Sequence, residues 1–348
     1  MEMSTFNLLH GYPEAIVRGY KGTILTAADY SLMSECDNLD DLKMHLSSTS
    51  YGNLSGADSA MGSHTTASLV ERCTAKFVEE FNYLRCNADA SLAKFLDYCT
   101  YPYMIDNVVL IVSGCLHNQH TPDLLEKCHP LGMFDSIATL AVAQNMQELY
   151  SLVLIDTPLG KYFQGQLSSE DMTEMHLEIM RNLLYKNYLE DFRKLCAGMG
   201  GTTAEVMADV LTFEADRRAI AIAVNSLGTE LTREDKMGLF CTLGALHPHG
   251  HRALAGAEDF DSILRTLSEY APYNALLSAS NVDQEQMVDR VMTNHEIKMC
   301  KDAFEQQFHF GVFWAWIKLK EQEIRNLMWI SECVVQEQHA RIHDGMLF

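Results

Sequence analysis

Helical periodicity with very little proline is the feature that most narrows what this chain can become. No proline lies between Pro158 and Pro248 or after Pro272. A proline inside a helix removes one hydrogen bond and clashes with the preceding turn, so long helices are permitted wherever the apolar pattern asks for them. From Met172 onward, Met175, Ile179, Leu183, Leu184, Phe192 and Leu195 recur at steps that place them on one side of a helix. The pattern ends at Gly198 to Gly201, where glycine can take the left-handed cap conformation. Thr202 with Glu205, Ser168 with Asp171, Thr26 with Asp29 and Thr232 with Asp235 have the Ser/Thr-x-x-acid form of a capping box and predict four helix starts. Phe304, Phe308, Val312, Trp316, Leu319, Leu327, Ile330 and Val334 predict one long helix, or two joined near Gly311, about 45 Å long for thirty residues. Its first half is apolar all round and is expected to be buried. Short apolar runs such as Val108 to Val112 read as buried helix rather than strand. The expected fold class is all-α.

A long-period repeat organises these helices. The segments Asp37–Leu46, Gln144–Val153 and Glu258–Leu267 resemble one another, with Leu39, Met146 and Phe260 as equivalents, 107 and 114 residues apart. Asp106, Asp216 and Glu323, each opening an apolar run, are 110 and 107 residues apart. Two anchors that agree on a period near 110 predict three pseudo-repeated helical units, over 1–128, 129–245 and 246–348, around a pseudo-threefold axis or in a short arc.

Composition excludes several classes. The 348 residues carry 26 Lys plus Arg against 47 Asp plus Glu, a formal charge of −21, which argues against a nucleic-acid binder because such binding neutralises phosphates with a basic surface. A hydrophobic content of 47% is enough to bury a large core. No run of about 18 consecutive apolar residues appears, so no membrane crossing is expected, and no secretory signal is visible at the N-terminus. Ten cysteines without a CxxC pair read as reduced, mostly buried thiols, with pairing left open because a closed three-unit ring could bring Cys36 and Cys333 close.

Candidate chemistry is sparse. His247, His249 and His251 alternate around Pro248 and Gly250, a spacing that could offer zinc ligands but reads more simply as a solvent-exposed loop. His295-Glu296 opens like a zinc-protease motif, yet Met299 stands where the second histidine is needed. Gly200-Gly201-Thr202-Thr203 lacks the GK[ST] ending of a phosphate loop and reads as a helix-to-helix turn. Glu214 with Arg218, and Glu321 with Arg325, are spaced for helical ion pairs, read either as solvated faces or as the lining of a polar cavity in which a partner docks.

Several motifs carry a family resemblance. His309-Phe310-Gly311-Val312-Phe313, Lys318-Leu319-Lys320-Glu321-Gln322-Glu323 and Trp329-Ile330-Ser331-Glu332-Cys333 resemble the C-terminal part of the subunit d family of vacuolar-type proton-pumping ATPases. Tyr103-Met104-Ile105-Asp106-Asn107, Cys128-His129-Pro130-Leu131-Gly132 and Phe213-Glu214-Ala215-Asp216-Arg217-Arg218 continue the likeness in order along the chain. The resemblance implies an all-helical, funnel-shaped body with no active site, cofactor or metal. Such a body sits on the cytosolic face of acidic endomembrane compartments against the proteolipid c-ring, without inserting into the membrane. Its cavity would receive the central-stalk subunits D and F and pass torque from ATP hydrolysis to proton translocation.

Phe310, Glu321, Trp329, Glu332, Asp216 and Arg218 are carried over as interface or coupling candidates. Core packing is the competing reading for the two aromatic residues, and helix-face pairing or solvation for the two glutamates. The segments Tyr51 to Thr66 and His247 to His251 depart from the family pattern. A metal-dependent hydrolase using His247, His249 and His251 and a helical-repeat adaptor unrelated to a pump remain the alternatives. A body at −21 is repelled by an anionic leaflet, so membrane location is expected to come through a protein partner with basic docking surfaces.

Overall fold

The computed structural model describes residues 3–52, 65–142, 148, 157–163, 174–280 and 285–347, and among them the chain is helical with no β-strand. The α-helices are α1 (Met3–Gly22), α2 (Ala27–Ser34), α3 (Leu39–Ser47), α4 (Thr66–Cys86), α5 (Ala90–Leu116), α6 (Thr121–Lys127), α7 (Glu174–Met199) and α8 (Gly201–Asn225). They continue as α9 (Arg233–Leu239), α10 (His249–Ala255), α11 (Phe260–Ser268), α12 (Tyr273–Ser280), α13 (Glu285–Ala303), α14 (Gly311–Val335) and α15 (Ile342–Gly345). The chain divides into two compact units, one formed by Met1–Ala93 with Asp289–Phe348 and the other by Lys94–Val288. The repeat segment around Met146 and the Ser168–Asp171 capping box lie outside the described residues.

In the first unit α14 is the axis of the core. Phe313 and Trp316 are fully buried, and the Trp316 ring meets Phe77 of α4 at 5.4 Å and Tyr20 of α1 at 5.7 Å between centroids. The apolar first half of α14 is therefore surrounded by protein, as its sequence demands. Its second half packs Leu327 and Ile330 into a cluster with Leu42 and Leu46 of α3, Cys73 of α4 and Ile342 of α15. Cys36 and Cys333 lie in this cluster as free thiols. Trp329 Nε1 donates to the Ile342 carbonyl at 3.0 Å. A Cβ at Gly345 would stand 2.3 Å from the Trp329 ring, so only glycine lets α15 close on it.

The helix expected to run on from Phe304 is interrupted, and the two-helix alternative is the correct one: α13 ends at Ala303 and α14 opens at Gly311. Between them Phe308 adopts a left-handed φ of 65°. The freed backbone groups are satisfied from α1: Arg18 donates to the carbonyls of Phe304 (2.8 Å) and Gln306, and the Phe308 N–H donates to Glu14 at 3.1 Å. A broken helix is stable only where such partners exist.

In the second unit α7 and α8 form an antiparallel pair joined through Gly200, which has φ 67°. The capping box expected at Thr202 is absent: α8 begins two residues earlier than that cap implies, at Gly201, with Gly200 at the cap and no side-chain cap hydrogen bond. The left-handed glycine makes the turn by itself and leaves Thr202 inside the first turn. The capping boxes at Thr26 and Thr232 form as expected.

Helix α5 departs from the sequence reading in another way. It is long and apolar enough, by length and composition, to cross a membrane, with a mean hydropathy of 1.3 over its best window, half of which is buried in the protein. It also carries polar side chains that are used within the second unit. Tyr98 donates to Asp191 at 2.8 Å, and Asn107 exchanges hydrogen bonds with the backbone of His129 at 2.8 and 2.9 Å. These contacts mark it as a core helix, because a lipid environment would offer those groups nothing.

Because Phe77 is 1% exposed and packs against the Trp316 ring, Phe77→Ala is expected to cost about 3–5 kcal/mol through the lost apolar area and the cavity left behind. Urea unfolding followed by circular dichroism should show a lowered midpoint; an unchanged midpoint would disprove this account of the α4–α14 contact.

Candidate functional site

The six residues singled out from sequence fall into both units. In the first, Phe310 is 2% exposed and packs against Phe6 (5.5 Å) and the His10 ring (4.8 Å), so it is core. Trp329 is half-buried and engaged with α15 as described. Glu321 lies between Lys318 (3.1 Å) and Arg325 (3.7 Å), the helix-face pairing expected of it. Glu332 accepts a hydrogen bond from the Thr66 hydroxyl at the start of α4 and another from Gln336 at 3.3 Å.

In the second unit Arg218 donates to Glu214 at 2.8 Å and lies 3.3 Å above the Tyr185 ring. Arg217 shares the same glutamate at 2.9 Å. Glu214 is only 5% exposed, so the solvated surface pair read from spacing is a largely buried triad instead. Asp216 is fully buried. Its carboxylate accepts from the N–H groups of Ala245 (2.8 Å) and Leu246 (3.2 Å) and from the Tyr273 hydroxyl (2.7 Å). Burial raises its pKa above the ordinary carboxylate range, and these hydrogen bonds oppose the shift. A Cβ at Gly244 would fall 1.8 Å from Asp216 Oδ1, so the loop reaches the carboxylate only because that residue is glycine.

The first unit repeats this device at a site that sequence reasoning did not select. Glu323 (1% exposed) accepts from the Leu25 N–H, from the Tyr51 hydroxyl and from Lys320 Nζ at 2.7 Å. Lys320 is fully buried, donates also to the Tyr51 oxygen at 3.2 Å and lies 4.7 Å from that ring's centroid. In both units a carboxylate on a long helix grips the backbone entering a short two-helix hairpin and the tyrosine that follows it: Leu25, α2, α3 and Tyr51 in one, Leu246, α10, α11 and Tyr273 in the other. The sequence did hold a signal for this, because Asp216 and Glu323 are two of the three repeat anchors. The third, Asp106, is exposed and pairs with Arg181 at 3.1 Å, while its neighbour Asn107 holds the His129 backbone.

The histidine cluster is not the solvent-exposed loop expected. His247 and His249 are exposed, but His251 lies in α10, 1% exposed, against the rings of Phe240 (5.0 Å) and His247 (5.4 Å). Burial holds its pKa down to about 4. Among the described residues no three His, Cys, Asp or Glu side chains converge as a metal ion requires.

What the geometry offers is thus a set of buried polar anchors. Comparison with known proteins says to which family the chain belongs. Residues 13–345 match the model of the ATP synthase (C/AC39) subunit family. The chain is 55% identical to V-type proton ATPase subunit d1 of Arabidopsis thaliana over 348 residues, covering 100% of this chain and 98% of that protein. To V-type proton ATPase subunit d of Dictyostelium discoideum the identity is 48%, over 98% of this chain and 95% of that one. It is 41% to V-type proton ATPase subunit d of Saccharomyces cerevisiae, over 99% of each. The chain belongs to the V-type ATPase subunit d family. Members of this family are accessory rather than catalytic chains, so this one works as a complex-bound, peripheral subunit alongside the other V-type ATPase subunits. Its buried carboxylates accordingly hold structure in place rather than reacting.

The anchor in the first unit can be tested by breaking one half of it. Lys320→Met leaves Glu323 buried without its cation and is expected to destabilise by about 3–5 kcal/mol, whereas pairing it with Glu323→Leu should recover part of the loss. Denaturant titrations of the single and double variants check this; equal losses in both would deny the coupling.

The histidines give a pH dependence. Burial lowers the pKa of His10, His251, His295 and His309 in the folded chain, so the fold favours their neutral forms. Their contribution is complete above the unfolded value of about 6.5 and is lost as pH falls below it, each histidine lowering the folding constant by up to about tenfold per pH unit. For His251 the decline runs down to about pH 4. Stability measured from pH 7 to pH 4.5 should fall, and His251→Leu should flatten the fall; a slope untouched by that change would contradict the assignment.

Proposed function

We propose that this chain is the rotor subunit that couples the central-stalk subunits D and F to the proteolipid c-ring of a V-type proton ATPase, so that ATP hydrolysis drives proton translocation. It would sit on the cytosolic face of acidic compartments. The observation that carries the reading is the full-length likeness to V-type proton ATPase subunit d chains. The buried polar anchors support it, because a part that transmits torque must resist shear between its helices. A hydrogen-bonded buried charge permits one docking geometry, where apolar packing alone tolerates sliding.

The three helical units, over 1–128, 129–245 and 246–348 around a pseudo-threefold axis and enclosing a funnel, belong to the same proposal. Their support is the shared use of Asp216 and Glu323 to seat a hairpin, at positions spaced by the repeat period. Of the six candidate residues, Arg218, Glu321 and Glu332 retain side-chain surface for a partner, whereas Phe310 and Asp216 act from within. The net charge of −21 supports basic docking surfaces on those partners.

Expression of this chain in yeast lacking its own subunit d tests the reading. The chain is expected to co-purify with the proteolipid ring and with subunits D and F, to restore ATP-driven acidification of isolated vacuoles, and to dissociate more readily as salt is raised. A folded chain that binds neither the ring nor the stalk, or acidification that proceeds equally without it, would refute the rotor assignment.

A further inference from the structure

The first unit contains a cleft of about 440 Å³ built from α1, α4 and the turn after α3. Tyr20, Arg72, Lys76, Glu79, Glu80 and Tyr83 line it. Glu80 is 6% exposed, and its two carboxylate oxygens are not in the same situation. Oε1 receives Lys76 Nζ at 2.8 Å, whereas Oε2 is buried with no hydrogen-bond partner. Buried acceptors are nearly always satisfied, so an orphaned one on a residue of the cleft wall marks a place where a donor belongs.

The surroundings specify a cation. Glu79 lies one residue away on the cleft wall, and Tyr20 and Tyr83 add ring faces that attract positive charge. Burial, with the Glu80 charge next in line, raises the Tyr20 pKa. Neither cation of the cleft is free for the role, because Lys76 is committed to Oε1 and Arg72 is engaged in an interaction of its own.

The helix that supplies Tyr20 to the cleft, α1, also carries an apolar stripe. Leu8, Leu9 and Tyr12 of α1 are 85%, 51% and 55% exposed, and spacings of three and four residues place them on one helix face. The Tyr12 hydroxyl lies 2.6 Å from that of Tyr83, which joins the stripe to the cleft. Exposed apolar side chains on the helix that walls the cleft, tied to it through Tyr12 and Tyr83, form an arrangement that a peptide segment covers and a lone amine does not.

We propose that this cleft receives a lysine or arginine side chain from another polypeptide of the ATPase assembly, with the apolar residues flanking that side chain resting on Leu8, Leu9 and Tyr12. The inference deepens the reading above, since it takes the partner from the same complex. Charge complementarity selects this occupant: a chain at −21 meets a basic segment with favourable long-range attraction.

Photo-cross-linking in the assembled complex tests it. With Leu8→p-benzoylphenylalanine, cross-links mapped by mass spectrometry are expected on one protein segment, within a few residues of a lysine or arginine flanked by apolar residues. Glu80→Gln should lower the yield about fivefold or more without preventing co-purification of the chain with the proteolipid ring. Lys76→Gln, which frees the second oxygen of Glu80, should raise it, a response that a merely structural Glu80 would not give. Cross-links to lipid or to an acidic segment, none at all in an assembled pump, or a yield indifferent to Glu80→Gln would overturn the proposal. So would stabilisation of the isolated chain by spermidine that depends on Glu80 and is accompanied by no polypeptide cross-link. A chain that co-purifies yet fails these tests leaves the rotor reading standing; one that joins no complex overturns both.

Discussion

A carboxylate removed from water must be given donors, and in this chain that requirement decides which distant segments meet. Glu323 sits in the middle of α14 with essentially no exposure, and the groups that satisfy it come from Leu25 and Tyr51, far away in sequence, as well as from Lys320 on the next turn back. The N-terminal hairpin α2–α3 is therefore held to the C-terminal helix in one register. Asp216 imposes the same condition on the hairpin α10–α11 through two backbone N–H groups and a tyrosine. Buried ionic groups of this kind often add little net stability, because desolvation offsets the attraction. What they add is intolerance of misplacement: a small shift of either hairpin would leave a buried charge without its donors.

The segment between α13 and α14 obeys the same logic with the roles exchanged. There the backbone has lost its helical partners, and the charged side chains of Arg18 and Glu14 supply replacements. Arg18 is itself oriented by Glu14 at 2.8 Å, so one ion pair on α1 fixes the corner from which the buried aromatic helix starts. Phe310 and Trp316 can then be packed on all sides, since the chain approaches them along a defined path.

Local features of this arrangement were legible in the sequence, and features that depend on distant contact were not. The faces of α7 and α14 follow from spacing alone, and the capping boxes at Thr26 and Thr232 need only four consecutive residues. Thr202 carries the same local pattern and makes no cap, because the backbone of Gly200 turns the chain first. The break before Gly311 could not be read from its own neighbourhood, since the side chains that permit it lie almost three hundred residues earlier. Lys320 and Glu323, three apart on a helix, look in sequence like an ordinary surface pair; only the packing of α2, α3 and α4 around them makes the pair buried. His251 likewise becomes a core residue through Phe240, which its immediate spacing does not reveal. Asp216 and Glu323 stood out because the repeat period ties them together, a long-range regularity that survives in the sequence even where the contacts do not.

Cations are scarce, and many are spent inside the chain: Arg18 on Glu14, Lys76 on Glu80, Arg217 and Arg218 on Glu214, and Lys320 on Glu323. Each such pair neutralises an acid that is buried or nearly so, which leaves the acidic excess of a −21 chain on the surface. Exposed acids of this kind draw a basic partner in and orient it, but they are screened by salt and hold it weakly once it has arrived. A joint that must not slip under load needs contacts that exclude water, and those come from apolar side chains surrounding a desolvated charge pair. The orphaned oxygen of Glu80, together with the exposed Leu8, Leu9 and Tyr12 of α1, supplies one half of such a contact. The surface acids would bring the basic segment to α1, and the cleft would then hold it.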